Sequence, residues 1–368
     1  MKNVCFFNSI NFWGGGEKLH LDNALEFQKL KYNVFILSKL NSPLWKKANL
    51  ENLNTFPVTV GNLSFLNPIK IVKLILFYKR RSIDTVIFSS SQDFKLGSIA
   101  AYIAGVERIV YLRGLATPVQ NSLLNRILFK NILTHIIPNS DETKRNMLKF
   151  LGKYVNTEKV RTIYHGIDLE KLNHIGNEKL IEIQEKGHGI ILGNAGRLTK
   201  QKGQDKLIEI AKKLHEQGID FTLFIAGTGE LKSALEILID KNELKSNVVL
   251  LGFVENMEVF MNSIDIFLLP SIWEGFGFVL VEAMVKSKPI VAFDISSNPE
   301  IVENNKSGFL VSYPDVEMYA QKITQLINDE ALRETMGKEA LQIVQNRFIL
   351  KDRVLEIESF LKTMPGKK

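Results

Sequence analysis

Short apolar runs alternate along this chain with longer stretches in which apolar residues recur at helical spacing. Runs at 3–7, 33–38, 85–88, 108–112 and 135–138 have the length and the β-branched and aromatic content of buried strands. The stretches 17–30 and 68–79 between them read as helices. The second half repeats the pattern, with strands predicted at 190–195, 222–226, 248–251, 266–269 and 289–292 and helices such as 204–216 and 231–242. Strands alternating with helices predict α/β architecture: two doubly wound domains with parallel sheets, whose ligands sit beyond the carboxyl ends of the strands. The boundary is expected between Tyr164 and Gly187, a polar stretch broken by Gly166, Gly176 and Gly187. A last helical run, 348–364, carries Lys351, Arg353 and Lys362 among apolar residues.

The length of 368 residues, 45% hydrophobic and 24% charged, suits two globular cores and excludes a disordered or disulfide-stapled chain. The single cysteine, Cys5, lies in an apolar run and reads as a core thiol in a reducing compartment. No uninterrupted apolar segment is long enough to span a membrane, and the apolar start at 1–7 is too short for a signal peptide. A cytoplasmic protein is expected.

Charge changes the picture. Residues 1–165 hold 23 Lys and Arg against 10 Asp and Glu, whereas the remainder holds 24 against 30. The first half should therefore meet an anionic partner. No nucleic-acid-binding motif accompanies the dispersed basic residues, so nucleic acid is not expected and an anionic membrane surface is favoured. The segment 65–81 supports this reading. Phe65, Leu66, Ile69, Ile71, Val72, Leu74, Ile75, Leu76, Phe77 and Tyr78 interleave with Lys70 and Lys73, ahead of Lys79-Arg80-Arg81. Such a helix lies in an interface beside a basic patch, or else packs on the core with a solvated end.

Three clusters could carry chemistry. The first strand leads into Trp13-Gly14-Gly15-Gly16-Glu17, where glycines admit a close ligand and the following helix offers its N-terminus, as a phosphate would require. The alternative is a tight turn with no ligand. Gly196-Arg197-Leu198-Thr199-Lys200-Gln201-Lys202-Gly203 sets two cations at the end of a strand within an otherwise acidic half. A guanidinium fork and a compact ammonium together suit a diphosphate. The third cluster, Glu274-Gly275-Phe276-Gly277-Phe278-Val279-Leu280-Val281-Glu282, places two carboxylates across a glycine-bearing turn into a helix. A loop carboxylate that accepts from hydroxyls is what sugar recognition needs; the alternative is a helix cap and a solvated helix residue.

Together these motifs resemble the E-x7-E retaining glycosyltransferases of the GT-B fold, the glycosyl transferase group 1 or family 4 type. Glu274 and Glu282 have that spacing, Arg197 and Lys202 match the diphosphate-binding pair, and Gly14 to Glu17 match the N-terminal glycine loop. Asn139-Ser140, Gly166-Ile167-Asp168, Gly227-Thr228-Gly229-Glu230 and Pro299-Glu300-Ile301-Val302 follow in the family's order. The resemblance covers most of the chain. It implies two Rossmann-like domains facing across a cleft: an acceptor-binding domain over 1–165, a nucleotide-sugar-binding domain over 166–346, and a helix over 347–368 that crosses back to the first.

The resemblance also implies roles. Glu274 would bind the donor sugar, with the Gly275, Phe276 and Gly277 backbone assisting, and Glu282 would take the ribose. Arg197 and Lys202 would hold the diphosphate and stabilise it as it leaves. Gly15 and Gly16 would close over the phosphate, and the base would lie near Gly252-Phe253-Val254. Metal is not required in this scheme. No D-x-D spacing occurs, and the histidines at 20, 135, 165, 174, 188 and 215 show no zinc spacing. No cofactor is expected beyond the nucleotide-sugar co-substrate, with a UDP-sugar favoured.

The chain departs from the family on the acceptor side. Where many relatives carry a histidine it has Ser89-Ser90-Ser91-Gln92-Asp93 after one strand and Arg113-Gly114 after the next, and His165 stands where Asn usually precedes Gly-Ile-Asp. Asp93 is a candidate base or acceptor contact, Arg113 a candidate for an acceptor phosphate, and Glu17 a further acceptor contact. A loop carboxylate and a solvated arginine are the alternatives for the first two. The function expected is a retaining transferase that moves a hexose onto a lipid-linked or lipopolysaccharide-type glycan, peripheral on the inner membrane face. A soluble transferase acting on a free glycan, or a nucleotide-sugar-binding module without transfer, would show much of the same sequence.

Overall fold

The computed structural model describes residues 2–169 and 178–363; His174, Gly176 and Met364 lie outside the described residues. The chain forms two compact units, Met1–Gly166 with Leu350–Lys368, and Ile167–Ile349. Each is built on a six-stranded sheet in which every pairing is parallel.

In the first unit the strands are β1 (Asn3–Phe7), β2 (Asn33–Ser38), β3 (Asn54–Pro57), β4 (Thr85–Phe88), β5 (Arg108–Arg113) and β6 (His135–Pro138), in spatial order β3-β2-β1-β4-β5-β6. Phe6 aligns with Ile36 on one side and Ile87 on the other. Alternate residues feed two cores. Cys5, Phe7, Phe35 and Phe88 pack with Leu74, Tyr78 and Phe94, whereas Val4, Phe6, Ile36 and Ile87 pack with Leu19, Phe27, Val354, Ile357 and Phe360. Because both faces are covered, the strands read as continuous apolar runs rather than alternating ones. Burial pushes the Cys5 thiol pKa up, as the reading of a core thiol requires.

The second unit carries β7 (Ile190–Ala195), β8 (Phe221–Ala226), β9 (Val248–Gly252), β10 (Ile266–Leu269), β11 (Ile290–Phe293) and β12 (Gly308–Val311), in order β12-β11-β10-β7-β8-β9. In each sheet the strand order reverses beside the first strand, between β1 and β4 and between β7 and β10. A crevice opens at such a switch point, outside the carboxyl ends of the two strands. The Ser9 and Ser89–Asp93 residues follow one of these pairs, and the 196–203 and 270–277 loops follow the other.

The strands expected from sequence form, with ends shifted by one residue at most, but β3 and β12 were not expected. Both are edge strands of four residues; β3 is largely open to solvent and ends in Pro57, and β12 begins with Gly308. β3 offers no apolar run, and the run in β12 is only three residues long, Phe309 to Val311. Glycine is required at 308 for packing: a Cβ there would lie 2.2 Å from the Ile290 carbonyl oxygen.

Three helices matter below: α1 (Gly15–Lys29), α2 (Pro68–Arg80) and α3 (Ser91–Ala104). In the second unit α4 (Gln204–Glu216) follows β7 and α5 (Phe278–Val285) follows β10. The last described helix, α6 (Leu350–Thr363), belongs to the first unit. There the Tyr32 hydroxyl donates to Glu358 Oε1 at 2.7 Å and Arg108 Nε donates to the Leu361 carbonyl at 2.8 Å.

Candidate functional site

In the second unit the loop after β7 is held by close backbone packing. Gly196 N–H donates to the Ala226 carbonyl and Leu198 N–H to the Thr228 carbonyl, at 2.9 and 3.0 Å. Gly227 lies at φ +143°, where a Cβ would sit 1.9 Å from the Gly196 carbonyl oxygen. Gly203 lies at φ +65° and caps α4, with room for a Cβ denied by the Pro270 carbonyl. The 196–203 loop is thereby pressed against the ends of β8 and β10. Gln201 reinforces this by donating to the Trp273 carbonyl and accepting from Ile272 N–H.

This loop brings Lys202 to Glu274. Lys202 Nζ donates to Glu274 Oε1 at 2.5 Å, and the buried Ser271 hydroxyl donates to the same oxygen at 2.6 Å. Both bonds fall on Oε1, so among the described residues Oε2 takes none. Glu274 is only 6% exposed, so its charge is compensated by the ammonium rather than by water. Arg197, on the same loop, is exposed and makes no ion pair among the described residues. An unpaired guanidinium beside a buried ion pair can receive an anion, and Lys202 can turn to share it.

Gly277, at φ +73°, caps α5, and Glu282 lies half-buried on that helix. Phe276 is 4% exposed, with its ring against Phe348 and Phe278 at centroid distances of 5.7 and 6.4 Å. Of the Gly275–Gly277 turn, only backbone can therefore meet a ligand at Phe276. Val254 follows the end of β9 and is half-buried. Sequence reasoning overlooked Ser271, and also Ser296 and Ser297 beyond β11, whose hydroxyls bond the Glu274 backbone. The only signal was their place just past the carboxyl ends of neighbouring strands.

The first unit holds its own polar cluster at the β1/β4 switch. Glu17 stands in the first turn of α1 and is buried. Its carboxylate accepts from the Asn8 side-chain amide at 3.2 Å and from the N–H groups of Gly14 and Glu17 itself. Burial raises its pKa, and these bonds partly offset the rise. Gly15 and Gly16 are open, with nothing near a Cβ. The glycine loop therefore already holds a carboxylate at the helix end, which works against the phosphate expected there and suits a hydroxyl.

Asp93 is fully buried. Its Oδ2 accepts from Ser9 N–H and from the Ser90 hydroxyl, its Oδ1 accepts from the Ser9 hydroxyl, and its own N–H donates back to Ser90 Oγ. Ser90 thus caps α3, and Asp93 in its first turn ties down the residue after β1. The geometry argues against the role of base expected for it. Burial holds its pKa up, so the native state binds the proton more tightly than the unfolded chain, and acid through that range costs no stability from this group. Asp93→Asn should keep transfer within about tenfold, where loss of a general base would cost about 10²–10⁴. Stability should fall by about 1–3 kcal/mol, because the Ser9 and Ser90 donors lose an acceptor; turnover and urea midpoints measured together check both.

Arg113, 4% exposed, donates to the Tyr111 hydroxyl at 3.0 Å and to the Thr117 carbonyl and hydroxyl at 2.9 and 3.0 Å. Its Nε has no acceptor and no carboxylate pairs with it among the described residues. A buried cation with neutral partners is one that an anion would stabilise. Beside it, Asn139 donates to the Gly114 carbonyl and contacts His165 Nε2 at 3.1 Å. Burial pulls the His165 pKa down to about 3, so the ring is neutral, and the amide contact makes Nε2 the acceptor.

Residues 177–342 match the family model for glycosyl transferases group 1. The two parallel sheets make the fold one of GT-B type, and the relatives below extend the likeness to glycosyltransferases over most of the chain. It is 28% identical to the capsular polysaccharide biosynthesis glycosyltransferase CapM of Staphylococcus aureus, over 93% of this chain and 94% of that protein. It is 27% identical to the UDP-Gal:alpha-D-GlcNAc-diphosphoundecaprenol alpha-1,3-galactosyltransferase of Escherichia coli, with 90% of each covered. Among solved structures, Anabaena HepE in complex with UDP and glucose shares the fold with a TM-score of 0.83 at 22% identity, over 99% of this chain and 100% of that one. No helix among the described residues is long and apolar enough to cross a membrane.

Proposed function

We propose that this chain is a retaining hexosyltransferase that moves a sugar from a nucleoside diphosphate, a UDP-sugar by preference, onto a lipid-linked or lipopolysaccharide-type glycan. The observation that carries the reading is the Lys202–Glu274–Ser271 cluster beside Arg197, at the switch point of the second sheet. Arg197 and Lys202 take the diphosphate. Glu274, with the backbone of Gly275, Phe276 and Gly277, takes the sugar hydroxyls, Glu282 the ribose, and the Val254 backbone the base. As the bond from the anomeric carbon to the diphosphate oxygen breaks, the acceptor oxygen bonds to that carbon on the same face and its proton passes to the departing phosphate. The two cations meet the charge that develops, a task a divalent metal performs in other enzymes.

On the acceptor side, Glu17 is placed to accept from a hydroxyl and Arg113 to hold a phosphate such as a diphospho-lipid carries. The relatives' names fit: one acts on a diphosphoundecaprenol-linked sugar and another in capsular polysaccharide biosynthesis. Calorimetric titration with UDP-, GDP- and ADP-sugars, followed by NMR of the anomeric proton of the product, tests the reading. Binding of no donor, or a product of inverted configuration, would sink it.

We also propose that α2 rests on an anionic membrane surface. Leu74 and Tyr78 are buried and Ile71, Ile75 and Phe77 pack against the core, so only part of the apolar set expected from sequence faces outward. Leu66, Ile69, Val72 and Leu76 are exposed, next to exposed Lys73, Lys79, Arg80 and Arg81. Changing Ile69, Val72 and Leu76 together to glutamate should lower co-sedimentation with anionic vesicles by about tenfold or more, since each apolar side chain kept out of the interface forfeits about 1–2 kcal/mol. Unchanged sedimentation would favour a soluble acceptor.

A further inference from the structure

Ser296 follows β11 and adopts φ +53°, a left-handed conformation that costs a residue with a Cβ and costs glycine nothing. Its side chain accounts for its presence. The Ser296 hydroxyl donates to the Glu274 carbonyl at 2.7 Å and accepts from Glu274 N–H at 3.2 Å. One side chain thus grips both peptide groups of a single residue, the residue whose carboxylate meets Lys202. Ser297, fully buried, adds a longer bond of 3.3 Å to the same carbonyl. The turn that carries both is itself stiff: Asn298 donates its side-chain amide to the Phe293 carbonyl at 3.0 Å, and Glu300 N–H donates to the Ser297 carbonyl. Without this grip the place of the Glu274 side chain would rely more heavily on the Lys202 ion pair and on Ser271.

That reliance matters because an arriving diphosphate competes for Lys202. When the ammonium turns toward phosphate, the Lys202–Glu274 bond weakens at the moment the carboxylate has to be in position for sugar hydroxyls. We propose that Ser296 is a positioning residue for sugar recognition: its hydroxyl fixes the Glu274 backbone from the neighbouring strand's loop, so that Glu274 stays aimed at the donor sugar while Lys202 engages the diphosphate. The strained conformation is retained because only a hydroxyl on Cβ at this position makes both bonds. The inference rests on the donor-site reading above and deepens it.

Glycine at 296 separates this role from a structural one, because Ser296→Gly relieves the backbone while deleting both bonds. Its melting temperature should hold or rise. Its affinity for UDP-glucose, UDP-galactose or UDP-N-acetylglucosamine, whichever the wild type binds, should fall about tenfold, the effect of losing two modest hydrogen bonds, while UDP alone binds within about threefold. Ser296→Ala should show the same loss of sugar binding with a lower melting temperature, since the strain remains. Equal weakening of UDP and UDP-sugar, or unchanged affinity for both, overturns the positioning role and leaves the donor site standing. Failure of the wild type to bind any of the probes removes the donor site itself, and the inference with it.

Discussion

Glu274→Ala should lower sugar transfer by about 10²–10³ or more, the range for removing a group that acts directly on the reacting centre. The substitution removes the acceptor of two bonds at once and leaves the Lys202 ammonium, 17% exposed, without its partner. Affinity for the nucleotide should then split from affinity for the sugar. UDP alone should bind as well as or better than to the wild type, because Lys202 is released to phosphate, whereas the increment that the sugar adds should vanish. Transfer of radiolabelled sugar to a crude lipid extract, with calorimetry on UDP and UDP-sugar, measures both. Transfer within a few-fold of the wild type would show that Glu274 is only a cap on its loop.

Gly227→Ala should be the most damaging single methyl group in the second unit. At φ +143° the backbone is open essentially to glycine alone, and the added carbon would meet the Gly196 carbonyl oxygen at 1.9 Å. Strain and overlap together should cost about 3 kcal/mol or more. The relief available is movement of the Gly196–Lys202 loop, so whatever protein remains folded should bind nucleotide poorly. Gly105→Ala is the control: φ is +80° with nothing within 4 Å of a Cβ, so it should cost only about 1 kcal/mol. Urea denaturation of the pair checks the contrast, and similar midpoints would mean that the loop yields without cost.

The parallel sheets could be read from sequence because their central strands are buried on both faces and cannot hide among polar residues. The two edge strands could not, since β3 is largely exposed and ends in proline, and β12 sets only three apolar residues behind its glycine. In the site, spacing alone located Lys202 and Glu274, because each follows a strand in an architecture that concentrates ligands there. Spacing said nothing of Ser271 or Ser296, as a serine after a strand is ordinary until its partner is known. Asp93 shows the converse. Its residue type suggested chemistry, but in the fold both oxygens are occupied by Ser9 and Ser90. Arg113 was read as either solvated or functional, and its burial without a carboxylate removes the first alternative.

The placement of α6 bears on how the protein is made. Val354, Ile357, Phe360 and Leu361 complete the core that Val4, Phe6, Ile36 and Phe27 begin. Between them in sequence lies the whole of the second unit, Ile167–Ile349. On the ribosome the first unit therefore emerges with one apolar face uncovered and waits about 10–40 s, at 5–20 residues per second, for the helix that covers it. The six strands of the second sheet, and the core cluster that packs on it, all come from within the second unit. Order of synthesis and order of completion are thus reversed: the unit translated first is finished last.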